Sequence, residues 1–142
     1  MKVSDLVKRK PVVVSKDATI KDAARLMASE GVGLLVVVDL SNPTKPVGVV
    51  SERDVIRAIA KGISLDEKLN TIATKKLITV ELDEDIGKAA AKMASNKIRH
   101  LVVLDKSGKL AGVLSIRDLV AEKSTLQAIV SSYETEPLPG GD

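Results

Sequence analysis

The sequence has no cysteine, phenylalanine or tryptophan, and only one tyrosine and one histidine among its 142 residues. Without cysteine the chain can form no disulfide, thiolate metal site, iron–sulfur cluster or cysteine nucleophile. The lone His100 excludes a zinc site with two histidines from one chain, and any Ser-His-Asp triad would have to use it. The near absence of aromatic rings disfavours nucleic-acid binding by base stacking.

Aliphatic residues must therefore build the core. Hydrophobic residues make up 44% and charged residues 29% of the chain, a balance too apolar for a disordered protein. The net charge of +3 is dispersed along the chain, which favours a mild preference for anions over a nucleic-acid stripe. The N-terminal residues resemble no signal peptide, and the longest apolar run, 32–38, is too short to cross a membrane. We expect a cytoplasmic protein, and this composition is typical of a thermophile.

The chain contains an internal repeat of two copies. Short identical segments recur in the same order in both halves, with one gap in a loop. The segments are Ala23-Ala24, Met27-Ala28-Ser29, Leu35-Val36-Val37 and Gly48-Val49, which recur as Ala89-Ala90, Met93-Ala94-Ser95, Leu101-Val102-Val103 and Gly112-Val113. Solenoid repeats come in three or more copies. Two copies of a longer unit instead indicate an intramolecular pair related by a pseudo-two-fold axis.

Each copy predicts the element order β-α-β-β-α. Short β-branched runs predict strands, and apolar residues at helical spacing predict amphipathic helices. Thr19 is the expected N-cap of the first helix and Gly31 its end. The expected elements are strands at 12–14, 34–38 and 47–50, a turn at 41–46, helices at 20–30 and 51–60, then strands at 78–80, 101–104 and 110–114 and helices at 85–95 and 115–122.

The chain divides into four predicted segments. They are a first repeat at 1–63, a linker and start of the second repeat at 64–76, a second repeat at 77–123, and a C-terminal helix with a flexible tail at 124–142. Neither repeat has enough apolar surface to fold well alone, so the repeats are expected to pack sheet against sheet. The predicted fold class is α/β (α+β).

Both repeats end in one motif, Gly-hydrophobic-x-Ser-x-x-Asp. Its copies are Gly48-Val49-Val50-Ser51-Glu52-Arg53-Asp54 and Gly112-Val113-Leu114-Ser115-Ile116-Arg117-Asp118. Ser-x-x-Asp by itself predicts a helix capping box. The duplicated motif in a duplicated frame resembles a tandem CBS (cystathionine-β-synthase) domain pair, or Bateman module, packed with pseudo-two-fold symmetry. The resemblance covers about residues 1–122 and implies a stand-alone module.

The resemblance implies two clefts, each combining the motif of one repeat with the first strand and the start of the second strand of the other. The first cleft would contain Ser51, Arg53, Asp54, Leu77, Ile78, Arg99 and His100. The second cleft would contain Pro11, Val12, Gly33, Leu34, Ser115, Arg117 and Asp118. In this family the aspartate binds ribose, and adenine would lie among the apolar residues. Because the second cleft has no counterpart of the Arg-His pair, phosphate is expected mainly in the first.

The implied function is a ligand-sensing regulatory module and not an enzyme. It would bind an adenosine nucleotide, AMP in preference to ADP or ATP, with no further cofactor and no metal. It would act as a homodimer on an unknown regulated protein, in energy sensing. S-adenosylmethionine is the alternative ligand of such a module. A nucleic-acid-binding accessory protein is a separate alternative that the basic charge favours, whereas a hydrolase using His100 lacks a paired catalytic acid and a phosphate-loop glycine set.

Overall fold

The computed structural model describes residues 1–121, Gln127 and Ser131, and over this range the chain is a mixed α/β structure. The strands are β1 (Val13–Ser15), β2 (Leu34–Asp39), β3 (Asn42–Ser51), β4 (Thr79–Glu81), β5 (His100–Leu104) and β6 (Leu110–Ser115). The helices are α1 (Val3–Leu6), α2 (Ile20–Glu30), α3 (Glu52–Ala60), α4 (Ile86–Asn96) and α5 (Ile116–Ala121), with a 3₁₀ helix at Leu69–Thr71. Within the described residues, no helix has the length and apolarity needed to cross a membrane. Apart from Gln127 and Ser131, the expected C-terminal helix and tail lie outside the described residues.

Each repeat forms its own three-stranded sheet, with the orders β1-β2-β3 and β4-β5-β6. In both sheets the first two strands are parallel and the last two antiparallel. A parallel pair needs a crossover connection, which α2 and α4 supply. The predicted order β-α-β-β-α is therefore confirmed in both repeats.

The ends of the crossover helices follow from local sequence. The N–H of Thr19 donates to Oδ2 of Asp22 at 3.1 Å, and the N–H of Asp22 donates to Oγ1 of Thr19 at 3.1 Å. This capping box begins α2, and Gly31 ends it in the left-handed region, with φ of 64°. In the second repeat Asp85 caps α4, and Lys97 takes the left-handed position with φ of 54°. A residue with a side chain adopts this conformation at a cost of about 1–2 kcal/mol.

The expected turn at 41–46 is wrong. β3 begins at Asn42, which pairs with Asp39, so the turn holds only Leu40 and Ser41. Oδ1 of Asp39 accepts the N–H of Ser41 at 3.0 Å and its hydroxyl at 2.9 Å, which stabilises the tight connection. The two prolines that suggested a longer turn are compatible with β3 because β3 lies at the edge of its sheet.

The two sheets pack against each other through aliphatic side chains. Val36 and Val38 on β2 and Val102 on β5 form a cluster that is at most 2% exposed. Partly buried residues of both repeats surround it, namely Val49, Leu77, Leu104, Leu110 and Val113. On the opposite face of each central strand, Leu35 and Leu101 pack in the core of their own repeat. The expected packing of sheet against sheet is confirmed.

Each core is completed by the segment that precedes the first strand of the other repeat. Val3, near the start of the chain, is fully buried in the core of the second repeat, and its N–H donates to the carbonyl oxygen of Glu84 at 2.9 Å. Leu69, which precedes β4, is fully buried in the first core and donates to the carbonyl oxygen of Ala18 at 2.7 Å. The boundaries of the four segments stay predictions. Residues 1–7 were assigned to the first repeat, but several of them pack in the core of the second.

We expect Gly48→Ala to lower the free energy of unfolding by about 1–3 kcal/mol, the usual cost of overpacking. A Cβ atom on Gly48 would lie 3.0 Å from the carbonyl oxygen of Thr74. This carbonyl cannot retreat easily, because Thr74 and Val49 exchange two N–H···O bonds of 2.9 Å. Gly33→Ala is the matched control, since its Cβ would meet the movable side chain of Glu52, at 3.2 Å. Chemical denaturation measures both variants, and equal stabilities would contradict this account of the contact.

Candidate ligand-binding site

The motif of the first repeat forms the junction between β3 and α3. The N–H of Ser51 donates to Oδ2 of Asp54 at 2.8 Å, and the N–H of Asp54 donates to Oγ of Ser51 at 3.2 Å. This is the capping box expected from the sequence. Among the described residues no hydrogen bond reaches Oδ1 of Asp54. The carboxylate is therefore oriented by the protein and keeps one oxygen for an outside donor.

The motif of the second repeat has the same geometry at the junction of β6 and α5. The N–H of Ser115 donates to Oδ2 of Asp118 at 2.8 Å, and the N–H of Asp118 donates to Oγ of Ser115 at 3.3 Å. The hydroxyl of Ser115 also donates to Oδ2, at 3.1 Å. Arg53 and Arg117, one residue before each aspartate, are exposed at the surface.

The start of β2 lies beside the motif of its own repeat. Leu34 pairs with Ser51, and the N–H of Glu52 donates to the carbonyl oxygen of Gly33 at 3.0 Å. Antiparallel pairing of β2 with β3 thus brings two of the residues predicted for the second cleft next to the first motif.

The start of β5 has the equivalent position in the second repeat. His100 pairs with Ser115, and the N–H of Ile116 donates to the carbonyl oxygen of Arg99 at 2.8 Å. By this correspondence Gly33 of the first repeat is the counterpart of Arg99. Glu52, which follows Ser51, is likewise the counterpart of Ile116, which follows Ser115.

The chain leading into each first strand passes along the motif-bearing strand of the other repeat. Thr74 pairs with Val49 on β3, two residues before the motif serine. In the second repeat the side chain of Val7 lies against Gly112 on β6. From these contacts the chain continues into the residues predicted for the two clefts, Leu77 with Ile78 and Pro11 with Val12, all of which are half-buried.

The carbonyl groups just before the first strand of each repeat already accept hydrogen bonds within the sheets. Those of Val12 and Ile78 accept N–H groups from β2 and β5 at 3.0 and 3.2 Å. Because backbone groups alternate in direction along a strand, the outward-facing groups belong to Val13 and Thr79. The carbonyl of Thr79 accepts Nζ of Lys92 at 2.9 Å.

His100 interacts electrostatically with charged residues of both motifs. Burial lowers the pKa of His100 below its ordinary value of 6.5, and Arg117 and Arg99 lower it further. Asp118 of its own repeat and Glu52 of the other repeat act in the opposite direction on this pKa. The effect of Glu52 places the start of α3 within electrostatic range of His100 across the repeat boundary. The imidazole is therefore mainly neutral at pH 7.

Glu52 lies beside the predicted cleft residue Gly33, although it was not predicted from the sequence to belong to either cleft. A Cβ atom on Gly33 would lie 3.2 Å from Oε1 of Glu52, so the carboxylate covers this glycine. The signal that was available is the difference between the two motif copies, which carry Glu52 and Ile116 at the same position.

The CBS domain family matches residues 3–61 and 69–124 of the chain, one match for each repeat. This class of fold, two such domains packed as a pair, generally serves in regulation. The chain belongs to the CBS domain family, and the resemblance noted in the sequence is confirmed.

Solved structures agree with this assignment. A CBS domain protein of Pyrobaculum aerophilum, in complex with AMP, is 44% identical, with a TM-score of 0.86 over 92% of this chain and 99% of that one. The CBS domain pair of protein MJ0100, in complex with 5′-methylthioadenosine and S-adenosyl-L-methionine, is 22% identical, with a TM-score of 0.77 over 93% and 97% of the two chains. At that identity the second likeness concerns the fold alone.

Relatives with similar sequences differ in length. A 17.7 kDa protein of Acidianus ambivalens is 37% identical over 118 residues, which cover 83% of this chain and 70% of the relative. The homoserine O-acetyltransferase of Methanosalsum zhilinae is 37% identical over 112 residues, 79% of this chain. The match covers only 22% of that enzyme. The shared part is therefore the CBS region.

We expect AMP to bind more tightly as the pH falls below about 6.5, because protonated His100 attracts phosphate and the neutral ring does not. The lowered pKa of His100 places the rise below, and not above, its ordinary value. Calorimetric titration at several pH values measures the affinity. At each pH, the AMP affinity of the wild type is divided by that of His100→Asn, which removes the effect of the titration of AMP itself. If this ratio of affinities does not change with pH, the proposed role of His100 is contradicted.

Proposed function

We propose that this chain is a ligand-sensing regulatory module that binds an adenosine nucleotide in the clefts between its repeats. AMP is the preferred ligand, ahead of ADP and ATP. The observation that carries the proposal is the duplicated Ser-x-x-Asp junction with an oriented carboxylate. The relative with 44% identity that was solved with AMP supports the choice of ligand.

Asp54 and Asp118 are proposed to bind the ribose of the ligand. A carboxylate accepts both hydroxyls of a vicinal diol, and such charge-assisted hydrogen bonds are strong. Oδ2 of each aspartate is already held by a backbone N–H at 2.8 Å. The side chain therefore loses little rotamer freedom on binding, which lowers the entropic cost of the complex.

The first cleft is proposed to bind phosphate as well as adenosine. Its residues are Ser51, Arg53, Asp54, Leu77, Ile78, Arg99 and His100. The pairing of Thr74 with Val49 supports this combination of two repeats, because it brings the chain that leads to Leu77 beside the motif-bearing strand. A guanidinium recognises phosphate through paired N–H donors, so Arg99 is the main candidate for that contact.

The second cleft is proposed to bind adenosine with weaker phosphate recognition. Its residues are Pro11, Val12, Gly33, Leu34, Ser115, Arg117 and Asp118. The contact of Val7 with Gly112 supports the approach of the first strand to the second motif. Gly33 stands where the other repeat has an arginine, so Arg117 is the cation that this cleft offers to a phosphate.

A homodimer is proposed as the form that transmits the signal. Four large apolar side chains are exposed on α3 and α5, namely Ile56, Ile59, Ile116 and Val120, with exposed fractions between 39% and 65%. Ile56 and Val120 occupy equivalent positions of the internal repeat, so each repeat presents an exposed apolar side chain at the same place to a second copy. A ligand between the repeats changes the dimer only if it binds two packing states with different affinity.

The module is proposed to act on a separate regulated protein and to perform no catalysis itself. A cytoplasmic location is part of the same proposal, in line with the cysteine-free composition. S-adenosylmethionine is the alternative ligand, and its binding in preference to AMP would replace the energy-sensing role. Tight binding to duplex DNA with a steep salt dependence would instead favour the nucleic-acid alternative.

We expect Asp54→Ala to weaken AMP binding by about 10- to 100-fold, the loss of a hydrogen bond to a charged group. Asp22→Ala is the matched control, because Asp22 closes the same capping box at the start of α2 and belongs to neither proposed cleft. Parallel calorimetry with AMP, ADP, ATP and S-adenosylmethionine measures both variants. Equal losses would show that Asp54 acts only as a helix cap.

We expect the protein to sediment as a dimer at micromolar concentration and the double variant Ile56→Asp/Val120→Asp to sediment as a monomer. Charges at these exposed positions would have to be buried without partners in the proposed interface. Leu40→Asp is the control, since Leu40 is 69% exposed but lies in a hairpin turn away from α3 and α5. A monomeric wild type, with and without AMP, would contradict the proposed dimer.

A further inference from the structure

The two repeats differ in charge at two pairs of equivalent positions. At the start of the second strand, the first repeat has Gly33 where the second has Arg99. At the first helical position after the motif serine, the first repeat has Glu52 where the second has Ile116. One repeat therefore presents a cation beside an apolar side chain, and the other presents an acid beside a glycine.

The absence of a side chain at Gly33 and the position of the Glu52 carboxylate are structurally related, because Glu52 contacts Gly33. The N–H of Glu52 donates to the carbonyl oxygen of Gly33 at 3.0 Å. The carboxylate then folds back, so that Oε1 would lie 3.2 Å from a Cβ atom on Gly33. A longer side chain at position 33 would begin in the space that this carboxylate covers. Glycine therefore lets the acid lie over the backbone at the start of β2.

The negative charge of Glu52 is not cancelled by an ion pair. Among the described residues, ion pairs form between Lys16 and Asp39, Lys68 and Asp17, and Lys92 and Glu84, and none of them involves Glu52. Glu52 is exposed and acts across the repeat boundary on the pKa of His100, which pairs with Ser115 of the second motif. Its field therefore reaches the space between the repeats.

We propose that Glu52 determines the ligand charge that the second cleft accepts. It disfavours ADP and ATP there and favours adenosine ligands whose 5′ group is uncharged or positive, such as a sulfonium nucleoside. This inference rests on the function proposed above and adds a specificity-determining residue to it. In the first cleft Arg99 supplies the opposite charge, so the two clefts select different ligands from one adenosine-containing pool.

The size of the effect follows from surface electrostatics. One exposed charge near a charged ligand group contributes up to about 1 kcal/mol, which is about fivefold in affinity. The effect grows with the number of phosphates and is absent for adenosine. It also weakens as salt is added, because exposed charges are screened over about 8–10 Å at physiological ionic strength.

The test is calorimetric titration of Glu52→Gln with adenosine, AMP, ATP and S-adenosylmethionine. Gln keeps the shape of the side chain and removes its charge. We expect ATP to bind about two- to fivefold more tightly, AMP to gain less, adenosine to stay unchanged and S-adenosylmethionine to weaken. Equal shifts for adenosine and ATP would overturn the proposal, because they would show a structural and not an electrostatic role.

Two backgrounds assign the effect to a cleft. The gain in ATP affinity should persist with Asp54→Ala, which weakens the first cleft, and should disappear with Asp118→Ala, which weakens the second. The reverse pattern would overturn the assignment. Thermal unfolding checks that each variant folds. In the wild type alone, the preference for adenosine over ATP at the second cleft should shrink as ionic strength rises, and a salt-independent preference would contradict the proposal.

Glu67→Gln is the control for a change in net charge. Glu67 is exposed and contacts the first residue of α2, and the 11-residue helix separates it from the Gly33 end by roughly 16 Å. Glu67→Gln should leave the ATP affinity unchanged. A gain in ATP affinity as large as that of Glu52→Gln would overturn a specific role for Glu52. If the wild type binds AMP and Glu52→Gln binds every ligand with the same affinity as the wild type, only this inference is refuted. A wild type that binds no adenosine ligand refutes the proposed function as well.

Discussion

Burial of the two central strands on both faces is the constraint on which the rest of this structure depends. The outer faces of β2 and β5 pack in the cores of their own repeats, and the inner faces meet in the cluster of Val36, Val38 and Val102. Burying one valine side chain is worth about 1.5–3 kcal/mol. A single repeat would expose this cluster to water, so the stable unit is the pair.

The pairing is reinforced by an exchange of chain segments. Val3 fills the core of the second repeat and Leu69 that of the first, each from the segment that precedes the other repeat's first strand. The same segments run past the motif-bearing strands, as the pairing of Thr74 with Val49 shows. The residues proposed for each cleft consequently come from both repeats. A ligand bound there would contact two bodies whose relative position it can bias.

The internal symmetry is kept where packing requires it and lost at positions next to the two motifs. Both Ser-x-x-Asp junctions have the same reciprocal hydrogen bonds, because each must satisfy the free N–H groups at the start of a helix. The positions next to them differ, with Glu52 in place of Ile116 and the half-buried Gly33 in place of the exposed Arg99. The two repeats thus share one scaffold but carry different charges beside their motifs.

Much of the fold followed from the sequence alone. Helical spacing, the Thr19 cap, Gly31 and the β-branched runs predicted the strands and helices of both β-α-β-β-α units, and only the start of β3 was missed by more than a few residues, since each element depends on neighbours along the chain. Helix α1 and the 3₁₀ helix at Leu69–Thr71 were not predicted. The duplicated Ser51–Asp54 motif identified the family and the capping geometry for the same reason. The proline-containing turn was misread because pairing at a sheet edge outweighed local turn preference.

Only the tertiary structure decided the contacts between distant residues. No local pattern shows that Val3 belongs to the second core, since its burial depends on how the sheets stack. The lowered pKa of His100 requires its burial between elements, and the position of Glu52 over Gly33 requires the pairing of β2 with β3. Sequence periodicity determined the elements and their caps. Packing of one repeat on the other determined the electrostatics of the space between them, because charge and burial there are properties of residues far apart in the chain.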